Sequence, residues 1–173
     1  VRTMLTILGL AIAILAYGLL QTVITAWYSK ATSASTARLV TRNATSLIFD
    51  LPVFFKEQIK GIEGVDKVAF AQWFGGVYKK PQNFFPQFAV SKNYLDVYPD
   101  FELNESDRIS WNNEKRGAIV GRQLADRFSF EKEDVIQLKG TLYPGNWEFI
   151  VKGIYEGSDE SKVTDRMFFH WDY

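Results

Sequence analysis

His170 is the single histidine of a 173-residue chain that contains no cysteine. A Cys–His pair is therefore excluded, and a Ser–His–Asp arrangement has one histidine to draw on, set in the aromatic run "RMFFHW". There a histidine reads as a core or interface residue rather than a general base. Asp159, Glu160 and Asp165 are close enough in sequence to gather a cation, but their spacing is not that of a calcium loop, and a solvated acidic loop is the simpler reading. Gly75, Gly76 and Lys79 combine glycine with lysine at the wrong spacing for a phosphate-cradling loop. No G-x-S-x-G and no H-E-x-x-H occurs. Catalytic, metal and cofactor residues are thus all expected to be none. The formal net charge is zero, so nothing favours nucleic acid as a partner.

The residues that remain conspicuous are aromatic. "WFGGVYKKPQNFFPQFAV", positions 73–90, places Trp73, Phe74, Phe84 and Phe85 around two glycines and two prolines. Gly75-Gly76 and Pro86 are expected to bend neighbouring strands. The aromatic side chains have two uses, as core beneath those strands or as a surface for a partner or an apolar substrate.

The elements that must carry these residues begin with a membrane span. No charged residue occurs from Thr3 to Ser29, and "MLTILGLAIAILAYGLLQTVITAW" is long enough to cross a hydrocarbon core of about 30 Å. Signal-peptide cores are shorter, about 7–15 residues, which favours a retained helix. Trp27 and Tyr28 stand at its far end, where amphipathic rings prefer the headgroup level. Arg2 flanks the near end, so the N-terminus is assigned to the cytoplasm and everything after Lys30 to the outside. Gly9, Ala13 and Ala16 place small side chains on one helical face, where another membrane helix can approach closely. Residues 1–29 are read as the membrane helix and 30–36 as a linker or a stiff stalk. Residues 37–173 are read as one domain.

Within that domain "RLVTRNATSLIF" reads as a strand followed by an extended turn, and "VFFKEQIKGI" as a helix with Phe55, Ile59 and Ile62 on one face, Asp50 capping it. "VDKVAFAQWF" and "FFPQFAV" read as strands, with Pro86 arguing for an edge or a bulge in the second. "NYLDVYP" reads as a helical turn and "NESDRISWNNEK" as a small surface helix. "GAIVGRQLADRFSF" reads as strand, tight turn and helix. "DVIQLKG" and "WEFIVKGIY" read as a hairpin turned by "YPGN", and "RMFFHW" as a last strand. Strands mixed with short helices predict an α+β fold with a mixed sheet.

A membrane helix followed by "GAIVGRQLADRFSF", "DVIQLKG" and "WEFIVKGIY" resembles the MacB/FtsX-type ABC transporter permeases. Gly121, Leu124, Ala125 and Phe128 match a strand-G-x-x-L-A-x-x-F helix, and Val151, Gly153 and Ile154 match V-x-G-[IV]. The resemblance implies a non-catalytic permease subunit in the bacterial inner membrane, with a MacB-like core domain facing the periplasm or exterior. It implies a dimer with a second permease subunit and a separate cytoplasmic ABC ATPase that binds the ATP. Membrane lipid surrounds such a helix, and a periplasmic adaptor is a further partner that the resemblance admits. Such permeases carry more membrane helices after this domain, so the 173 residues are expected to be a fragment. The rival reading is a membrane-anchored extracytoplasmic sensor with a ligand pocket in a similar α+β domain.

Overall fold

The computed structural model describes residues 2–32, 38–44, 51–157 and 164–173. Two units emerge, residues 1–41 and 42–173. The first is dominated by α1 (Arg2–Thr32), whose span Arg2–Ala26 is long and apolar enough to cross a membrane. The helix is apolar on every side, as lipid requires and water does not. Several of its polar side chains are satisfied within the helix. The Thr6 and Thr22 hydroxyls donate to the carbonyls of Arg2 and Gly18, each at 2.8 Å, and the Gln21 amide donates to the Tyr17 hydroxyl at 3.0 Å. The helix runs six residues past Ala26, into the segment read as stalk. Ser33–Ala37 lie outside the described residues.

The second unit is α+β. A short helix, α2 (Phe55–Lys60), precedes β1 (Ala71–Trp73), β2 (Val77–Tyr78) and β3 (Gln87–Val90). Then come α3 (Tyr94–Val97), β4 (Phe101–Glu102), α4 (Glu105–Asn113), β5 (Gly117–Gly121) and α5 (Arg122–Phe128). The hairpin β6 (Val135–Gly140) and β7 (Gly145–Gly157) and the final β8 (Met167–His170) complete it. The sheet runs β1-β3-β8-β5-β7-β6-β2, with β4 pairing the end of β7. β3–β8 and β5–β7 are parallel, and the other pairs are antiparallel.

The two ends of that path, β1 and β2, are separated in the chain by only Phe74, Gly75 and Gly76. One stretch of chain therefore serves as both margins, and the sheet curls back on itself. Gly75 has φ +68, and its neighbour Gly76 is buried. The fully buried Gln87 replaces the missing ladder at this bend. Its Oε1 accepts from the Gly76 N–H at 2.6 Å, and its Nε2 donates to the Gly76 carbonyl at 3.0 Å. The Thr141 hydroxyl, just after β6, donates to the Gly75 carbonyl. The expectation that Gly75-Gly76 bends the chain is met.

One face of the sheet packs Phe74, Tyr78, Phe85, Val120, Phe149 and Phe169 with Leu124 and Ala125 of α5. The other packs Ile119, Tyr155 and Phe168 with Leu95 of α3 and Trp111 of α4. A bulge sets the boundary in β7. Ala118 pairs with Val151, but Ile119 pairs with Gly153, so Lys152 is an extra residue. That residue switches parity, placing Phe149 and Val151 on the first face and Tyr155 on the second.

Several expectations need correction. No strand forms in 38–44, and 45–50, including Asp50, lie outside the described residues. α2 buries none of its residues, and Ile62 lies beyond its end, exposed. Six residues ending at Gly61 are too short to present the expected stripe. The strand read in "VDKVAFAQWF" pairs only over Ala71–Trp73. Pro86 stands just outside β3, which is an interior strand flanked by β1 and β8, so neither edge nor bulge is needed to accommodate it. α4 is not merely a surface helix: Trp111 is fully buried.

Candidate functional site

Gly9, Ala13 and Ala16 lie together on α1, and all are exposed. A Cβ placed on Gly9 would meet nothing within 4 Å. The small-residue face is present and open among the described residues.

The two segments that carry the resemblance are brought side by side. β5 ends in Gly121 and runs parallel to β7, so that Ile119 stands opposite Gly153 and Val120 opposite Ile154. Gly121 and Gly153 are both places where a Cβ does not fit. On Gly121 it would lie 2.1 Å from the Thr164 carbonyl oxygen, because the backbone before β8 crosses directly over the β5–α5 junction. On Gly153 it would lie 2.7 Å from Leu103 Cδ1 and 3.0 Å from Asp107 Cβ, because α4 rests against the β7 backbone. Asp107 is buried there and is held by Lys132 Nζ at 2.7 Å. Leu124 and Ala125 are buried in the first core, with Phe128 half-buried against them. These motif residues are the framework of the domain.

The four aromatic candidates divide. Phe74 and Phe85 are core residues, 4% and 1% exposed, and so cannot present a surface. Neither alternates outward, since Phe74 begins the inward bend and Phe85 packs on Tyr78 and Phe128. Trp73 and Phe84 are exposed and lie beside each other, ring centroids 5.8 Å apart. Trp73 also lines a cleft of about 310 Å³ with Gln72, Tyr143, Trp147, Trp171 and Tyr173 among its walls. Sequence reasoning missed these companions, which come from both ends of the domain. The composition held one signal: five tryptophans in 173 residues, one directly after the "YPGN" turn and one directly after the C-terminal strand.

A second, more open cleft of about 570 Å³ lies beside α3, β4 and α4. Its charges are largely matched, Arg108 with Asp96 and Arg122 with Glu156, the latter pair at 2.7 Å.

His170 is a core residue, as expected. It is stacked on Trp111 with centroids 4.6 Å apart, and Nε2 donates to the Trp111 carbonyl at 2.7 Å. A carbonyl only accepts, so Nε2 carries the hydrogen. Trp111 Nε1 donates in turn to the Gly117 carbonyl at 3.1 Å. Burial pushes the Tyr155 hydroxyl far above its ordinary range, and it donates to the Arg166 carbonyl at 3.1 Å. Such a phenol stays neutral and structural. Among the described residues no group of His, Asp and Glu could hold a metal ion. Asp159 and Glu160 lie outside the described residues.

No family profile matches the chain, and no curated protein is significantly similar to it. Among solved structures it is similar to a domain of a protein described as a permease from Porphyromonas gingivalis, at 14% identity and TM-score 0.43, covering 61% of this chain and 50% of that one. It is also similar to the periplasmic region of MacB from Actinobacillus actinomycetemcomitans, at 10% identity and TM-score 0.45, covering 71% and 56%. A third is the extracellular domain of the noncanonic ABC-type transporter YknZ from Gram-positive bacteria, at 14% identity and TM-score 0.44, covering 68% and 60%. The chain therefore spans between a half and three fifths of the length of these structures.

Proposed function

We propose that this chain is a membrane helix and the extracytoplasmic core domain that follows it in an ABC transporter permease of the MacB/FtsX type. It performs no chemistry of its own. A cytoplasmic ABC ATPase binds and hydrolyses the ATP, a second permease subunit completes the dimer, and the domain faces the periplasm or exterior of a bacterial inner membrane. The movement it passes on serves export or extraction of a substrate. The observation that carries this reading is the pairing of the two resembling segments. Each contributes a glycine on which a neighbouring element rests, in a chain that opens with a helix apolar on every side.

The topology is tested with a single cysteine, since the chain has none of its own. Asn112→Cys lies on the exposed side of α4 and should react with an impermeant maleimide in intact spheroplasts. Protection until lysis would place the domain inside. Ser161, a second position suited to such labelling by its acidic loop, lies outside the described residues.

Transmission is tested at the stalk. α1 stays helical to Thr32, beyond its apolar span, as a lever requires. Ala31→Gly together with Ala34→Gly would cost about 1 kcal/mol each in local helix stability. Ala34 itself lies outside the described residues. Expected is a near-normal melting temperature for the domain and normal basal hydrolysis by the ATPase, with substrate-stimulated hydrolysis lost. A double variant that transports like the parent would show a flexible tether instead.

A further inference from the structure

We propose that the cleft around Trp73 and Trp171 is a binding site for a small, uncharged aromatic molecule. The inference stands on the cleft alone and does not rest on the transporter reading.

The walls are aromatic. Trp73, Phe74, Tyr143, Trp147, Trp171 and Tyr173 all contribute, and Ala89 adds a side chain small enough to leave room. The rings are set at contrasting angles. Phe74 and Tyr143 stack at 8°, whereas Trp147 stands at 84° to Phe74 and 86° to Tyr173. Phe74 is the buried floor on which Tyr143 and Trp147 pack, and a planar guest meets the partly exposed rings of Trp73 and Trp171, by face or by edge. Trp73 and Trp171 are 38% and 43% exposed.

The rim is built in advance. The Gln72 amide donates to the Tyr143 hydroxyl, and its carbonyl oxygen accepts from Trp171 Nε1 at 2.8 Å. One side chain thus ties the β6–β7 turn to the segment after β8. Trp147 Nε1 donates to the Tyr143 carbonyl at 3.1 Å, which holds a third wall. With these donors engaged inside the protein, His170 Nδ1 is the buried side-chain atom of the described lining that lacks a partner, and stacking and apolar contact recognise the rest of a guest.

Charge and size narrow the guest further. No Asp, Glu, Lys or Arg lines the cleft, and its one imidazole, His170, is buried and stacked on Trp111. A charged guest would lose its hydration without gaining an opposite charge, which is costly. The volume of about 310 Å³ stands at the lower end of the range of roughly 300–1,000 Å³ typical of ligand pockets. A one- or two-ring molecule fits this description, and a helix of a partner protein does not.

The test uses the full chain in detergent, labelled with ¹⁵N at the tryptophan indoles and titrated with indole. The five indole N–H signals are assigned by single Trp→Phe variants. Expected is saturable movement of the Trp73, Trp147 and Trp171 signals, with the smaller response at Trp111, which meets the cleft only through His170. Ala89→Leu, which fills the cleft, and Gln72→Ala, which releases the rim, should each weaken binding about fivefold or more. Tryptamine and indole-3-acetate, charged versions of the same ring, should bind about tenfold more weakly. Three results would overturn the proposal: no saturable shift, parallel drift of all five signals with detergent partitioning, or a charged analogue binding as tightly as indole. Since Ala89→Leu keeps every ring and hydrogen bond, its melting curve separates loss of binding from loss of folding.

Discussion

Gly121→Ala is expected to destabilise the second unit by about 3 kcal/mol or more, near the upper end for overpacking a close contact. The added methyl would sit 2.1 Å from the Thr164 carbonyl oxygen and 2.5 Å from its carbon, which are backbone atoms with no rotamer to change. Relief requires moving either the end of β5 or the segment that enters β8. That segment is held on both sides, by Gly121 N–H donating to the Arg166 carbonyl at 3.0 Å and Leu124 N–H donating to the Thr164 carbonyl at 3.2 Å. Gly153→Ala provides the comparison. Its nearest clash is with a leucine methyl that can turn aside, although Asp107 Cβ at 3.0 Å is fixed by α4. A smaller loss of about 1–2 kcal/mol follows. Urea unfolding of the detergent-solubilised chain, followed by tryptophan fluorescence, measures both. Equal effects, or a Gly121→Ala variant as stable as the parent, would mean that the crossing over β5 is looser than described.

The second large effect belongs to Gln87. Gln87→Met keeps the length and bulk of the side chain but removes both hydrogen bonds to Gly76. A buried N–H and a buried carbonyl are then left without partners, each costing about 1–3 kcal/mol. The melting temperature should fall by about 2–8 °C for each kcal/mol lost. Gln87→Glu sharpens the test. At neutral pH its carboxylate can accept from the Gly76 N–H but repels the Gly76 carbonyl, and it carries a charge into a site with no solvent exposure. Burial raises the folded-state pKa of such a group above its unfolded value of about 4.3. Its protonated form is therefore the compatible one. The variant should approach the parent below that unfolded value and fall away from it as pH rises through the folded one. A Gln87→Glu variant with a parallel pH profile would show that the side chain does not hold the bend.

What could be read from the sequence was what is local. β5 and α5 follow from an apolar run, a glycine and a helical stripe. The β6–β7 hairpin follows from the alternation of Ile136 and Leu138 with Gln137 and Lys139, and from its turn. α1 follows from length alone. The failures share a cause, which is that pairing partners lie far away in the chain. Nothing near Gln87 signals that its amide substitutes for a strand at Gly76. Nothing near Pro86 shows that β3 is sandwiched between β1 and β8. The strand expected over 38–49 had the right composition, but no partner pairs with its described part. The aromatic site was half legible. "WFGG" named Trp73, but Phe74 and Phe85 turned inward, and the companions Tyr143, Trp147 and Trp171 arrive through the fold.

The order of the sheet also sets a schedule for synthesis. Gln87 pairs with Met167 and Val90 with His170, and β5 is bounded on one side by that same last strand. As the chain emerges, β3 and β5 therefore wait with open edges until β8 is free of the ribosome. Contacts of such separation are slow to form, and waiting edges are prone to pair with the wrong neighbour. The hairpin β6–β7 can form earlier, and β5 can dock on it at once, so the nascent domain has a stable half before it has a whole one. A pause in translation before β8 has emerged would therefore prolong the exposure of both edges.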